Sequence, residues 1–268
     1  MGRCLGIFIY YLYPIRKAIA QKNLEIAFPE YDKKKKLFIL KACYKHFGMV
    51  LVDFFRLPKI KRNKDKIIVN IPPKSIDLMK SKSGGIILTG HMGNWEYIGP
   101  MLSIHNIKSA GVALIQKNSQ ANRFFNDLRI SDNMKVIPSN AGSNVMLQHI
   151  KDGYYLGLIS DQNAGSRGTE ALFFNKPVSV PKGAAAFHVK TNTPILLGFC
   201  ILCKDLHYKL SFHELDLERL PKDSNEAIVE INQRFTNIME KRVREYPEQY
   251  YWFHRKWDKE IYKQIPRN

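Results

Sequence analysis

The stretch Gly85-Ile86-Ile87-Leu88-Thr89-Gly90-His91-Met92-Gly93-Asn94-Trp95-Glu96 decides how this chain is read. Its first five residues form a short apolar run bounded by glycine, the mark of a strand buried on both faces. Two glycines, Gly90 and Gly93, then permit a tight turn, and a helix is expected to start near Asn94 and to run from Glu96 to Ile104. His91 is thereby expected at the carboxyl end of a parallel strand, where α/β proteins hold their ligands. Glu96 follows five positions on, and across a turn that spacing can bring a carboxylate to the imidazole. Such a carboxylate fixes the tautomer and stabilises the imidazolium, which is how a general base is oriented. The competing reading is a satisfied structural histidine, against which the strand–glycine–helix setting weighs. No H-E-x-x-H face is present, so a metal centre is not expected. Neither a G-x-S-x-G elbow nor a G-x-x-x-x-G-K-[ST] loop occurs.

Outward from this stretch the chain alternates. Strands are expected at Gly111–Ile115, Lys135–Ile137, Tyr155–Ile159, Pro194–Cys203 and Tyr208–Phe212, and helices at Asn122–Ile130, Val145–Ile150, Gly183–Lys190 and Ser224–Arg244, the last with Ser224 as N-cap. The alternation argues for an α/β fold with a mostly parallel central sheet flanked by helices. Before it, Lys33-Lys34-Lys35-Lys36 opens a helix with an apolar stripe at Leu37, Leu40, Tyr44, Phe47, Leu51 and Phe54, and Arg56 to Lys66 reads as a basic connector. Residues 1–70 are therefore taken as a basic helical, membrane-facing region and 71–268 as the catalytic domain.

Two further clusters carry polar chemistry. Ser160-Asp161-Gln162-Asn163-Ala164-Gly165 follows an apolar strand and brings a carboxylate and an amide to the same end of the sheet; ordinary turn chemistry reads the same way. Phe173-Phe174-Asn175-Lys176-Pro177-Val178 looks like a hairpin or a rim loop. Near the carboxyl end, Tyr250-Tyr251-Trp252-Phe253-His254-Arg255-Lys256-Trp257 mixes aromatic and basic residues, which suits nucleobase stacking, a membrane interface or simple packing. No nucleic-acid-binding signature accompanies it, so nucleic acid is not expected as a partner.

The 268 residues carry 42 Lys and Arg against 24 Asp and Glu, a net charge of +18. Residues 1–70 hold 16 basic and 5 acidic side chains, a net of +11, while 71–240 are nearly balanced. Basic ends around a balanced middle point to anionic lipid or phosphorylated substrates. The apolar, aromatic run Cys4–Ile15 is too short to span a bilayer, lacks a cleavage site and suits either the membrane interface or a core-facing helix. Cys200-Ile201-Leu202-Cys203 lies in an apolar strand and reads as packed thiols.

Taken together, Gly90-His91-Met92-Gly93-Asn94-Trp95-Glu96, Ser160-Asp161-Gln162, Phe173-Phe174-Asn175-Lys176-Pro177, Pro247-Glu248-Gln249 with His254-Arg255-Lys256-Trp257, and the early Asn23-Leu24-Glu25-Ile26-Ala27-Phe28-Pro29 resemble the bacterial lipid A late acyltransferases, also called the lauroyl/myristoyl acyltransferase family. The resemblance covers nearly the whole chain in order. It implies a glycerolipid-acyltransferase-like fold and transfer of a fatty acyl chain from acyl carrier protein to a hydroxyl of a phosphorylated glycolipid, with no further cofactor. It places His91 and Glu96 in the family's H-x4-D/E catalytic positions, with His91 as base and Glu96 as its orienting carboxylate. Asn94, Arg129, Asp161 and Gln162 are expected to line the substrate site, with Arg123 a competitor for the role of Arg129. The resemblance further implies residence at the cytoplasmic face of the bacterial inner membrane, peripheral or anchored by the amino terminus. Another lipid acceptor, or a non-catalytic basic membrane- or nucleic-acid-binding protein, would fit the same charge.

Overall fold

Three helices open the chain: α1 (Gly2–Leu12), α2 (Lys17–Ala27) and α3 (Lys33–Arg62). The computed structural model describes residues 1–62 and 69–265. α1 crosses α3 on glycines. A Cβ on Gly6 would stand 2.1 Å from the Tyr44 carbonyl oxygen, and one on Gly48 2.4 Å from that of Gly2. Backbones approach this closely only where hydrogen replaces a side chain. The apolar stripe of α3 divides: Leu40, Tyr44 and Phe54 are buried, while Leu37 and Leu51 are exposed. The connector expected from Arg56 is corrected. α3 continues through Pro58 to Arg62, and Leu57, fully buried, anchors the turn that proline weakens. Residues 63–66 of that expectation lie outside the described residues.

The strands follow as β1 (Val69–Asn70), β2 (Gly85–Thr89), β3 (Ser109–Ala113), β4 (Met134–Pro138), β5 (Tyr155–Ile159), β6 (Thr169–Phe173), β7 (Lys176–Val180), β8 (Ile195–Leu202) and β9 (Tyr208–Glu214). Seven of them form one sheet in the order β1-β9-β8-β2-β5-β3-β4, and β6 and β7 pair separately. Every neighbour in the large sheet is parallel except β8 and β9. The interleaved helices are α4 (Pro73–Lys80), α5 (Ile98–Ile104), α6 (Ser119–Arg129), α7 (Ser143–Lys151), α8 (Gly183–Thr191) and α9 (Ser224–Glu245). This is the α/β fold with a mostly parallel sheet that the alternation predicts.

β2 lies at the centre and is buried at every residue. Ile86 and Leu88 join the cluster that holds α2, α9 and the carboxyl-terminal aromatics. Ile87 joins the opposite cluster with Leu57 and with Met101 and Leu102 of α5. Two covered faces explain the unbroken apolar run. Element ends shift from expectation in instructive ways. The helix after His91 begins as one 3₁₀ turn, Trp95–Tyr97, before α5. Asp223, not Ser224, caps α9, its carboxylate accepting from the N–H groups of Asn225 and Glu226. Leu114 and Ile115 fall beyond β3 and are exposed. The hairpin turns through Phe174 and Asn175, both at positive φ.

Candidate active site

β2 and β5 pair in register, with Thr89 opposite Ile159, and the Ser160 N–H donates to the Thr89 carbonyl at 2.9 Å. His91 and Asp161 therefore stand at equivalent steps past the ends of neighbouring parallel strands, and their side chains meet. His91 Nδ1 lies 2.7 Å from Asp161 Oδ1. The carboxylate only accepts, so Nδ1 carries the proton and the neutral ring keeps its lone pair on Nε2.

Several backbone contacts hold the loop that bears His91. Gly93 has φ +60°, and a Cβ there would fall 2.0 Å from the Cys200 carbonyl oxygen, so this position requires glycine. Its N–H donates to the Gln249 carbonyl at 2.9 Å, and the Tyr251 N–H donates to the His91 carbonyl at 2.9 Å. The imidazole of His46 reaches the Gly93 carbonyl at 3.1 Å; burial lowers its pKa to about 4, so His46 is neutral and donates from Nε2.

The carboxyl-terminal segment that supplies Gln249 and Tyr251 is core rather than surface. Tyr250, Trp252, Phe253 and Trp257 are buried and pack the core. Asn23 of the early motif ties this segment down. Its Nδ2 donates to the Trp252 and His254 carbonyls at 2.6 and 2.8 Å, and its Oδ1 accepts from the Tyr262 hydroxyl at 2.5 Å.

The electrostatics follow from burial and charge. Burial of His91 opposes its protonation, but the Asp161 carboxylate outweighs it and Glu96 adds to it, so the imidazole is more basic than an ordinary histidine. Burial likewise opposes the charge of Asp161; His91, then His254 and Lys256, more than offset it and hold the carboxyl well below its usual range. About a fifth of the His91 side chain reaches solvent, whereas Asp161 is closed off.

The expectation that Glu96 orients the imidazole is corrected. Its carboxylate turns to Arg129, accepting from Nε at 2.8 Å and from a terminal guanidinium nitrogen at 2.7 Å. The fork offers two parallel charge-assisted bonds, and Nδ1 of His91 is already taken by Asp161. Arg129 thus reaches the His91 loop at the end of α6, its guanidinium over the Phe54 ring at 4.9 Å. Arg123 does not; it is exposed, 3.8 Å from Asp127. Asn94 is fully buried, and its backbone N–H donates to the Cys200 carbonyl at 2.8 Å. Gln162 is exposed, next to Asp161 in the chain. Cys200 is buried in β8, its thiol pushed well up by burial, as for a packed thiol.

Sequence reasoning missed the surroundings of the imidazole. Trp95 stands edge-on to the His91 ring at 4.9 Å, and Tyr251 lies at 5.8 Å on another side. Both also line an apolar groove of about 330 Å³ with Ile15, Phe47, Phe54 and Glu96. Among the described residues, no three His, Cys, Asp or Glu side chains gather closely enough to hold a metal ion.

A His–Asp pair, its imidazole partly open to solvent, thus stands at the carboxyl end of parallel strands beside an apolar groove. The sequence pattern described as bacterial lipid A biosynthesis acyltransferase matches residues 1–259. The chain belongs to that family. Among curated relatives, the lipid A biosynthesis palmitoleoyltransferase of Escherichia coli (strain K12) is 23% identical over 269 residues, spanning 96% of this chain and 83% of the relative. The lipid A biosynthesis acyltransferase of Shigella flexneri matches to the same extent. Within this acyltransferase, no helix among the described residues is long and apolar enough to cross a membrane.

Proposed function

We propose that this acyltransferase moves a fatty acyl chain from acyl carrier protein to a hydroxyl of a lipid A precursor, with His91 as general base. The 2.7 Å bond between His91 and Asp161, beside an apolar groove, carries the reading. A hydroxyl is a poor nucleophile at neutral pH. Nε2 of His91 takes its proton as the oxygen attacks the thioester carbonyl. Asp161 holds the ring in the required tautomer and stabilises the imidazolium. The tetrahedral oxyanion needs donors, and Arg129, held by Glu96, supplies a cation at the loop. Collapse expels the thiolate of the carrier, which recovers the proton from His91. The groove between α3, Trp95 and Tyr251 suits the acyl chain.

The protein works at an anionic membrane surface, the cytoplasmic face of the inner membrane, in this proposal. Phe8, Leu12 and Ile15 near the end of α1, Leu51 and Phe55 on α3 and Phe124 on α6 all expose large apolar side chains. Coupled to the basic residues 1–70, this surface suits interfacial binding. The same basic charge suits the acidic acyl carrier protein and the acceptor's phosphates.

The test is a transfer assay. Detergent-solubilised protein receives acyl carrier proteins of several chain lengths and a tetraacylated lipid A precursor, with His91→Ala alongside. A product heavier by one acyl chain, absent with the variant, is expected. Equal product from the folded variant overturns the role of His91; transfer to a different lipid alone replaces the acceptor.

A further inference from the structure

Lys256 is 3% exposed, and its Nζ donates to the backbone carbonyl of Asp161. It lies 5.0 Å above the Phe173 ring. Two more buried polar atoms, Asp161 Oδ2 and the Tyr250 hydroxyl, face the same place, and the hydroxyl interacts with the Asp161 carboxylate. Asp161, Tyr250 and Lys256 line one small enclosed space of about 10 Å³ against α9, enough for a single water molecule. The side of that space formed by α9 is Phe235, Thr236 and Met239, none of which is charged. An ammonium removed from water is costly, and a plain structural tie to a carbonyl does not need one.

We propose that Lys256 is a positioning residue for acyl transfer: seated beneath Asp161, it holds the carboxylate in place behind His91 and balances its charge. The inference rests on reading His91 as the base. Burial lowers Lys256 to about 8, and the Asp161 charge opposes that fall, so the ammonium persists at neutral pH. Its charge acts on both members of the pair. It favours the Asp161 anion and disfavours the His91 imidazolium. Among the described residues, the other titratable groups facing the pair include Tyr250, Tyr251 and His254 of the same segment and Glu96 joined to Arg129. Burial lowers His254 to about 4, so it is neutral. Lys256 is thus the cation that restrains the pull of Asp161 on the imidazole and keeps the base available near neutrality.

The test titrates His91 without substrate, by NMR of isotopically labelled histidine in the full chain. The His91 signal is assigned by its loss in His91→Gln. Lys256→Met and Lys256→Gln remove the charge, and Gln retains a donor for the carbonyl. In both, His91 is expected to titrate higher by about half a pH unit or more. The acid limb of the transfer rate should move with it. If the Lys256 variants do not fold, the coupling is read from its other side by NMR of labelled lysine: the lysine that titrates near 8 in the wild type should titrate lower in Asp161→Asn, and an unchanged value overturns the proposal. An unchanged titration in the folded variants overturns the proposal, since a merely structural lysine would lower stability alone. Absence of transfer by the wild type, with the titration shift present, counts against the function and not against Lys256.

Discussion

Glu96 and Arg129 form a fork of two parallel bonds, 2.8 and 2.7 Å, that joins the first turn after the His91 loop to the last residue of α6. Both side chains are mostly enclosed, so neither charge is readily rehydrated if the other is removed. Glu96→Gln is expected to destabilise the protein by about 1–3 kcal/mol. The cost of Glu96→Gln with Arg129→Met should fall short of the sum of the single costs by about 0.5–3 kcal/mol, as a denaturant double-mutant cycle would read. Additive costs would show that the fork contributes nothing.

His91→Ala should lower the transfer rate by about 10²–10⁴ while leaving the fold intact by circular dichroism. The wild-type rate should fall on the acid side, because only the neutral imidazole accepts a proton. The midpoint of kcat/KM belongs above the ordinary histidine value of 6.5, since His91 is raised. A midpoint below 6.5 would contradict the pairing with Asp161.

Asp161→Asn removes the charge that overcomes the burial of His91. The acid midpoint is then expected to move below that of the wild type, with a plateau rate lowered by about 10²–10⁴. Glu96→Gln should move the midpoint less, because Glu96 acts on the imidazole through space alone. A larger shift in Glu96→Gln than in Asp161→Asn would restore Glu96 as the orienting carboxylate.

The same pair makes a stability prediction. Asp161 is depressed in the folded state, so its stabilisation is present above its unfolded pKa of about 3.9 and is lost as pH falls through the folded value. His91 is raised, so its stabilisation is complete below about 6.5 and is lost as pH rises through its folded value. The Tm difference between wild type and His91→Ala should therefore be largest between about pH 4 and 6.5. A difference that is flat from pH 4 to 9 would rule out the linkage.

Gly48→Ala places a methyl group against the Gly2 carbonyl and the Gly6 amide, at 2.4 and 2.6 Å. The helices must separate, at a cost of about 1–3 kcal/mol. Faster proteolysis within α1 and weaker binding to anionic vesicles are expected, with His91 titrating as in the wild type. Unchanged cleavage would show that the α1 contact does not hold the helix.

The strand-and-turn pattern made His91 legible because glycine, a buried apolar run and a following helix are all local signals. The partner of His91 was not, because it depends on the register of β2 against β5, which sequence spacing does not encode. Asp161 was visible as a polar residue past a strand, but its place two steps beyond Ile159 acquires meaning only when Thr89 stands opposite. Arg129 and Arg123 share one helix and differ in its phase, so only the packing of α6 separates them. The carboxyl-terminal run of aromatic and basic residues reads like an interface, and it is interior because Asn23, far off in the chain, binds its carbonyls.

The backbone bridges from Gly93 to Gln249 and from Tyr251 to His91 set an order of events during synthesis. A ribosome that has made the His91 loop has yet to make the residues that fasten it. The nascent chain can pair its central strands but has no fastened base until residues 249–256 have emerged. A product released early, however well its sheet had formed, would carry His91 and Asp161 without the segment that holds their loop.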